Sequence, residues 1–488
     1  MSRRRTPRKP ANTVAPNDGT KWGHVSDAEM FAEMSRRLAA RGASTLEDIE
    51  LASEDFGRMA GEELQAAKIA ALPPEDGKPK QCPKCGNPAP VKTKNRVRHF
   101  LTTAGEVRLS RNYHYCRACK AGFYPRDIEL KLPEEGEVSD AMERRILDFG
   151  VNDTFESSAQ RWSIHYPTPI SSNLVRRVVD RVGRRLEQAS SPLALQNACR
   201  PKAEEIPHAL VVAGDGSMLL TREEAWKEAK VAVVARGENF LEEKTRRAVS
   251  AARYVAVLGG QDEFRAALAG ALEAERADEA TNVVWLGDGA SENWTMANSL
   301  CPTAIQVLDF PHAIQNGMVC GKVFLGENNE ALPLWETRLR QLIDASSPDA
   351  VVEELMACLH LTTTDEELSA LDNLVRYYRS NQKRMRYTEF RQHGLPIGSG
   401  IVESAHRHVL QVRMKRAGQR WSVFRARRMT RLRAAYRTAG PFRFHAAIKK
   451  ALFRPPARSS KLIANTPRRR NRRYALHPGS SLNRRASI

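Results

Sequence analysis

Three acidic residues stand in surroundings that would place a carboxylate and not merely display one. Asp215 lies in Ala213-Gly214-Asp215-Gly216-Ser217 and Asp288 in Leu286-Gly287-Asp288-Gly289-Ala290, each where an apolar run reads as the end of a β-strand. Glu403 lies in Gly394-Leu395-Pro396-Ile397-Gly398-Ser399-Gly400-Ile401-Val402-Glu403-Ser404. The glycines around Ser399 suit a tight turn and a helix start, which puts Glu403 in the first helical turn. Each acid also has a plainer reading. Asp-Gly is a common turn dipeptide, and Asp288 could cap a helix beginning near Ser291. Glu403 could complement the helix dipole and pair with Arg407, a contribution of about 0.3–1 kcal/mol. Taken together, in a chain this basic, three acids on separate elements could form one metal site.

A second kind of chemistry sits earlier in the chain. Cys82-Pro83-Lys84-Cys85 and Cys116-Arg117-Ala118-Cys119 bracket about 30 residues of alternating, strand-like sequence. Two such knuckles offer four thiolates for tetrahedral zinc, and the strands between them supply the hairpin of a structural zinc ribbon. A redox dithiol would open a helix, and neither pair does.

The elements that must position these residues follow from periodicity. Residues 1–25 read as a disordered basic arm and 26–76 as a helical lead-in, with helices over about 27–41 and 45–71. The ribbon occupies 77–130, decorated by Arg96, Arg98, Lys120 and Arg126. A helical unit over 135–190 follows, with helices at about 138–149, 154–163 and 169–188. The third carries Asn173, Arg176 and Arg177 beside an apolar stripe, which suits either a recognition helix in a helix-turn-helix-like, DNA-binding unit or a plain bundle with a solvated basic face. Residues 192–207 read as a linker.

Residues 205–312 then turn β, with strands at about 208–215, 227–235, 253–258, 282–288 and 304–309 and a helix at 263–276. That order predicts a mixed sheet with its first strand near the centre, so Asp215 and Asp288 become neighbours across it. Residues 313–392 read as an all-helical insertion, and 393–452 as the second part of the core, carrying Glu403 on a helix. The stretch after Glu403 holds Arg407, Arg413, Lys415, Arg416 and Arg420 with no further acid up to Arg437, and Trp421 interleaves as a stacking or packing surface. Residues 453–488 read as a disordered Arg-rich tail.

Composition narrows the partners. The chain has 488 residues and a formal net charge of +20. That excess calls for a polyanion: nucleic acid is the expected one, with an anionic membrane face as the alternative. No apolar run reaches the roughly 18 residues of a membrane span, and the Arg-rich start is not followed by a signal-peptide apolar segment, so a soluble, cytoplasmic protein with no membrane partner is expected.

Several motifs in order resemble a known family. Asp215-Gly216-Ser217, Trp226-Lys227-Glu228, Gly287-Asp288-Gly289-Ala290 with Trp294, Leu308-Asp309-Phe310-Pro311-His312, Arg384-Met385-Arg386-Tyr387, Gly394 to Ser404, Arg413-Met414-Lys415 and Arg420-Trp421-Ser422 are similar to the DDE transposases of bacterial insertion sequences, in particular the Kra-type group of the ISL/Mutator-like branch. The similarity covers about 205–440. It implies an α/β multidomain protein with a ribonuclease-H-like core and an Asp215, Asp288, Glu403 triad holding magnesium or manganese. It further implies Asp309 and His312 as residues contacting DNA near that site, double-stranded DNA (element ends and target) as substrate, a homo-oligomer on DNA, and a place at the bacterial nucleoid. Ser217 and Pro311 stand where the family leads one to expect Thr and Tyr. The chemistry suits the residues: two divalent ions held by carboxylates can drive both hydrolysis and transesterification at phosphate, with no protein nucleophile. The activity so implied is cleavage of transposon ends and strand transfer. A nuclease without strand transfer and a non-catalytic DNA-binding regulator are the alternatives.

Overall fold

A computed structural model of the chain describes residues 26–40, 45–133, 135–166, 168–188, 191–243, 246–345 and 348–452. The expected basic arm over 1–25 and Arg-rich tail over 453–488 lie outside these residues. Two compact units divide the rest: one runs to Ile146 and includes Trp162–Ile170, the other comprises Leu147–Arg161 and Ser171 onward. The helices expected to form one DNA-binding unit over 135–190 are therefore shared between the two.

In the first unit, helices Asp27–Ala39 and Leu46–Ala70 precede the cysteine-bearing segment, the second opened by a Thr45–Asp48 capping box. The ribbon is a hairpin of Val91–Thr102 and Gly105–Cys116, with Ala121–Phe123 added on the far side of the second strand. Lys80–Gln81 pairs with Pro88–Ala89, which closes the first knuckle. Two of the arginines that decorate the ribbon are spent internally: Arg98 pairs with Asp127 at 3.0 Å, and Arg126 is buried and donates to the Pro73 carbonyl.

The second unit is built on a five-stranded sheet: β1 (Ala209–Leu220), β2 (Trp226–Arg236), β3 (Arg253–Val257), β4 (Asn282–Gly287) and β5 (Ile305–Leu308), in the order β3-β2-β1-β4-β5. The first strand is central, as the sequence predicts. β1, β2 and β3 pair antiparallel, whereas β4 and β5 run parallel to β1. Residues 209–214 of β1 and 231–235 of β2 are continuously buried, which is why they read as unbroken apolar runs and not as alternation. Helices Gln261–Ala274 and Ser291–Leu300 contribute Phe264, Leu268, Trp294 and Met296 to the same core.

Among the described residues of 310–392 the regular elements are all helical, the principal ones being Phe310–Leu325, Leu332–Ala345, Asp365–Asn381 and Tyr387–Gln392. Buried tyrosines fasten them: Tyr387 donates to Leu308 O, at the end of β5, at 3.0 Å, and Tyr378 ties its helix to Phe310–Leu325 by donating to Ala313 O at 2.8 Å. The chain then forms Gly400–Ala405, a π-helical turn His406–Gln411, and helices Val423–Ala439 and Pro441–Leu452.

Two expectations are corrected. The linker begins with a helix, Pro192–Cys199, capped by Ser191 with proline in its first turn. A short hairpin, Phe240–Glu243 with Arg246–Val249, stands between β2 and β3 where no strands were expected.

Candidate active site

β1 and β4, adjacent inner strands of the sheet, bring Asp215 and Asp288 alongside each other. The parallel register pairs Leu286 with Ala213, so each acid lies two residues beyond that pair on adjacent strands. Parallel neighbours are about 4.8 Å apart. Asp215 does not end its strand: β1 continues to Leu220 with β2 as its partner. Beyond Gly214 the strand alternates between covered and exposed residues, and Asp215 is the first side chain outside the buried run. A carboxylate there keeps access to water while its backbone stays in the sheet.

Asp288 begins the loop after β4. Its Oδ1 accepts from Ala290 N at 3.0 Å and from Asn293 Nδ2 at 2.9 Å, which orients the carboxylate. The loop is fixed from the helical side, where Tyr377 donates its hydroxyl to the Asp288 carbonyl at 2.8 Å. Gly289 permits this approach. It sits at φ +99°, and a Cβ there would meet the Tyr377 ring at 2.6 Å.

Glu403 lies in the first turn of Gly400–Ala405, exposed, and among the described residues no ion pair with Arg407 forms. The plainer reading of Glu403 as half of a helix-surface pair is therefore not realised. Its helix is tied to the sheet by Asp309. That residue is 0% exposed, caps the helix Phe310–Leu325, and accepts from Ser399 N, from His312 N at 3.0 Å and from His312 Nδ1 at 2.5 Å. Phe310 N also donates to Ile397 O at 2.9 Å. Asp309 has no surface from which to touch DNA, so the contact implied for it is corrected to a positioning one. Its neighbour His312 remains partly exposed.

Two histidines each feel two of the three carboxylates. The Asp309 hydrogen bond holds His312 above its usual pKa against the opposing effect of burial, with smaller contributions from Asp288 and Asp215. Burial pushes His406 below its usual value although Asp215 and Glu403 pull the other way. Its Nε2 lies 3.5 Å from Asp215 Oδ2 and has no hydrogen-bond partner. Lys415 Nζ reaches Ser217 Oγ at 2.5 Å and feels Asp215. His406 was missed in the sequence. The signal was a histidine three residues after Glu403, but the π turn that swings it back onto Asp215 leaves no mark in periodicity. The oxygens of Asp215, Asp288 and Glu403 are not among the groups gathered within 4.8 Å of one another.

The four ribbon cysteines are so gathered, with Cys82 and Cys119 sulfurs 3.5 Å apart and Cys85 and Cys116 likewise. Sulfurs at this spacing, not joined as disulfides, have the donor chemistry of a four-thiolate zinc site. Burial would raise the Cys82 thiol, but the N–H groups of Lys84 and Cys85 outweigh it and hold it at about 7.

The basic stretch after Glu403 differs most from expectation. Arg416 pairs with Asp153 at 2.7 Å, Arg425 with Asp180 at 3.0 Å, Arg427 with Glu263 at 3.2 Å and Arg428 with Glu187 at 2.9 Å. Arg413 is 1% exposed, its guanidinium packed over the Phe155 and Trp421 rings. Trp421 is itself buried, donating Nε1 to Met414 O at 3.1 Å, so it packs and does not stack on a base. Helix Ser172–Glu187 likewise buries half its length against this region, and Gly183 leaves no room for a Cβ beside Arg428. Of the residues expected to meet DNA, Asn173, Arg177, Arg407, Lys415 and Arg420 are exposed and Arg176 partly so.

The fold defines a mixed α/β protein with a five-stranded mixed sheet and a separate four-cysteine cluster. Residues 90–450 match the model of an uncharacterised protein family, UPF0236, and the chain belongs to that family. No protein of curated function matches it. Among solved structures it is similar to the Drosophila P element transposase strand transfer complex, at 10% identity and a TM-score of 0.26, over 69% of this chain and 95% of that one. Among the described residues no helix is long and apolar enough to cross a membrane.

Proposed function

We propose that the chain is a DNA transposase of the DDE type with a ribonuclease-H-like core, cleaving element ends and joining them to target DNA at one site formed by Asp215, Asp288 and Glu403. The observation that carries this reading is that Asp215 lies on β1 and Asp288 directly follows the adjacent parallel strand β4, with the start of the Glu403 helix fastened through Asp309. The donor set fits magnesium or manganese: three carboxylates of which none is spent on an ion pair with Lys or Arg among the described residues, and hard oxygen atoms suit those ions. Bound there, the ions would activate water or a 3′-hydroxyl and neutralise charge on the scissile phosphate.

The chain's own groups do the rest. Asn293 and the Ala290 N–H aim Asp288. Asp309 sets the start of the Glu403 helix and orients the His312 ring. Lys415, beside Ser217, offers a cation to a phosphate approaching Asp215. The four-cysteine cluster holds zinc and stiffens the ribbon, and the expected segments 1–25, 26–76, 77–130, 135–190, 205–312, 313–392, 393–452 and 453–488 divide the labour between DNA capture and catalysis on a homo-oligomeric complex at the nucleoid.

The test is a joining reaction. Pre-cleaved DNA ends from the sequence flanking the gene, incubated with target duplex and magnesium or manganese, are expected to give a covalently joined product. A 3′-dideoxy end should block it, and no protein–DNA adduct should accumulate. Cleavage without joining on authentic ends would favour a nuclease, and a trapped adduct would rule out the mechanism.

A further inference from the structure

The second unit contains a cavity of about 340 Å³ just past the C-terminal end of β1. Three segments meet there. Thr221, just past β1, bridges to Trp421, and Arg222 N donates to Trp421 O at 2.8 Å. The start of helix Ser172–Glu187 supplies Asn173 and Arg176, and the 413–425 segment supplies Arg413, Arg420 and Arg425. The lining thus carries five guanidinium groups, against one carboxylate, Glu156, which is exposed.

These arginines are not equivalent. Arg425 is neutralised by Asp180 at 3.0 Å. Arg413 is held against the floor, donating Nε to Gly150 O at 3.3 Å between the Phe155 and Trp421 rings. Arg176 touches only a neutral group, Asn173 Oδ1, at 3.2 Å. Arg222 and Arg420 have no hydrogen-bond or ion-pair partner for their side chains among the described residues. Ser422 also lines the cavity, and its Oγ is buried without a hydrogen-bond partner. A buried hydroxyl left unpaired costs about 1–3 kcal/mol, so a group that accepts its proton is expected. Uncompensated guanidinium groups, an orphaned hydroxyl and an aromatic-backed floor call for an acceptor-rich anion of small volume.

We propose that this cavity is a phosphate-binding site, with Arg222 and Arg420 as its principal ligands and Arg176 and Ser422 Oγ completing the cradle. Two sources share that chemistry: a backbone phosphate of DNA and a free phosphate compound. The first rests on the function proposed above. Arg222 lies about 20 Å along the strand direction from Asp215, so a bound backbone phosphate would anchor DNA well away from the scissile position. The second does not depend on that function.

The experiment uses the full chain and the double variant Arg222→Gln/Arg420→Gln, with Arg338→Gln/Arg340→Gln on the helical insertion as a charge-matched control. Pyrophosphate binding is measured by calorimetry, and duplex DNA binding by anisotropy across a salt series. Because neither arginine has a protein partner, the melting temperature of the double variant should match wild type. Loss of pyrophosphate affinity by tenfold or more supports the proposal. If the slope of log K against log salt also falls by about one unit, the value of one released phosphate contact, the source is the DNA backbone. If only pyrophosphate binding falls, the source is a free phosphate compound. A wild-type chain that binds no DNA would sink the proposed function and leave the pyrophosphate measurement to decide this one. Pyrophosphate binding and salt slope both unchanged from wild type, or matched by the control, would overturn it.

Discussion

Replacing Asp309 by alanine separates a positioning acid from a metal-binding one. The residue is fully buried and accepts three hydrogen bonds, from Ser399 N, His312 N and His312 Nδ1. His312 is partly exposed and can turn to water, but the Ser399 N–H is buried and would be orphaned, at about 1–3 kcal/mol. Loss of the cap on Phe310–Leu325 adds about 0.5–2 kcal/mol. The total, roughly 1.5–5 kcal/mol, converts at about 2–4 °C per kcal/mol, the value for a domain of about 150–250 residues, to a fall of roughly 3–20 °C in the melting temperature. Asp288→Ala removes a carboxylate that is partly exposed and bonded only by Ala290 N and by Asn293 at the start of the next helix, and should shift melting little.

The Asp309 effect should also depend on pH. Burial would raise the Asp309 pKa, but the bonds from His312 and Ser399 hold it below its usual value, so its stabilising contribution is present above the ordinary carboxylate range and lost as pH falls through the depressed value. His312 is held above its usual value, so its contribution is complete below the ordinary imidazole range and fades as pH rises through the raised one. The gap between wild type and Asp309→Ala should therefore be wider at about pH 6 than at about pH 9. Thermal melts in chelator at both values, followed by circular dichroism, provide the check. A shift below about 2 °C, or an Asp288→Ala shift as large as that of Asp309→Ala, would refute the division of labour between the two acids.

Elemental analysis of protein purified without chelator should find zinc in the ribbon, about one per chain; a Cys82→Ser/Cys116→Ser variant with full zinc content would remove the site. Trp421→Ala should cost about 3–5 kcal/mol of stability because the ring is buried, and an unchanged melting temperature with weakened DNA binding would instead make it a base-stacking residue. Gly289→Ala should displace the Asp288 loop from Tyr377 and lower both melting temperature and metal-dependent cleavage, and full activity in that variant would show that the loop is not held as described.

The sequence made the sheet legible because β1, β4 and β5 are apolar runs ended by Gly-Asp or Leu-Asp steps, and because adjacency of the first and fourth strands follows from their order. The cysteine knuckles were legible for a similar reason: ligand spacing is local. What failed was everything that depends on partners remote in the chain. The Arg-rich stretch after Glu403 looked uncompensated because its acids, Asp153, Asp180, Glu187 and Glu263, precede it by more than 150 residues and arrive only through folding. Asp309 and Asp288 look alike as strand-ending acids. Burial alone separates them, and it is set by residues 397–399 crossing over the start of the Phe310 helix.

Whether Asp215, Asp288 and Glu403 act as one site is tested most directly by cleavage of duplex DNA carrying the gene's own flanking sequence. The assay compares wild type with Asp215→Asn, Asp288→Asn and Glu403→Gln in magnesium and in manganese, with DNA binding followed in parallel. Metal-dependent cleavage is expected for wild type and absent from all three variants, each of which still binds the DNA. Any one of the three cleaving at the wild-type rate would contradict a shared site.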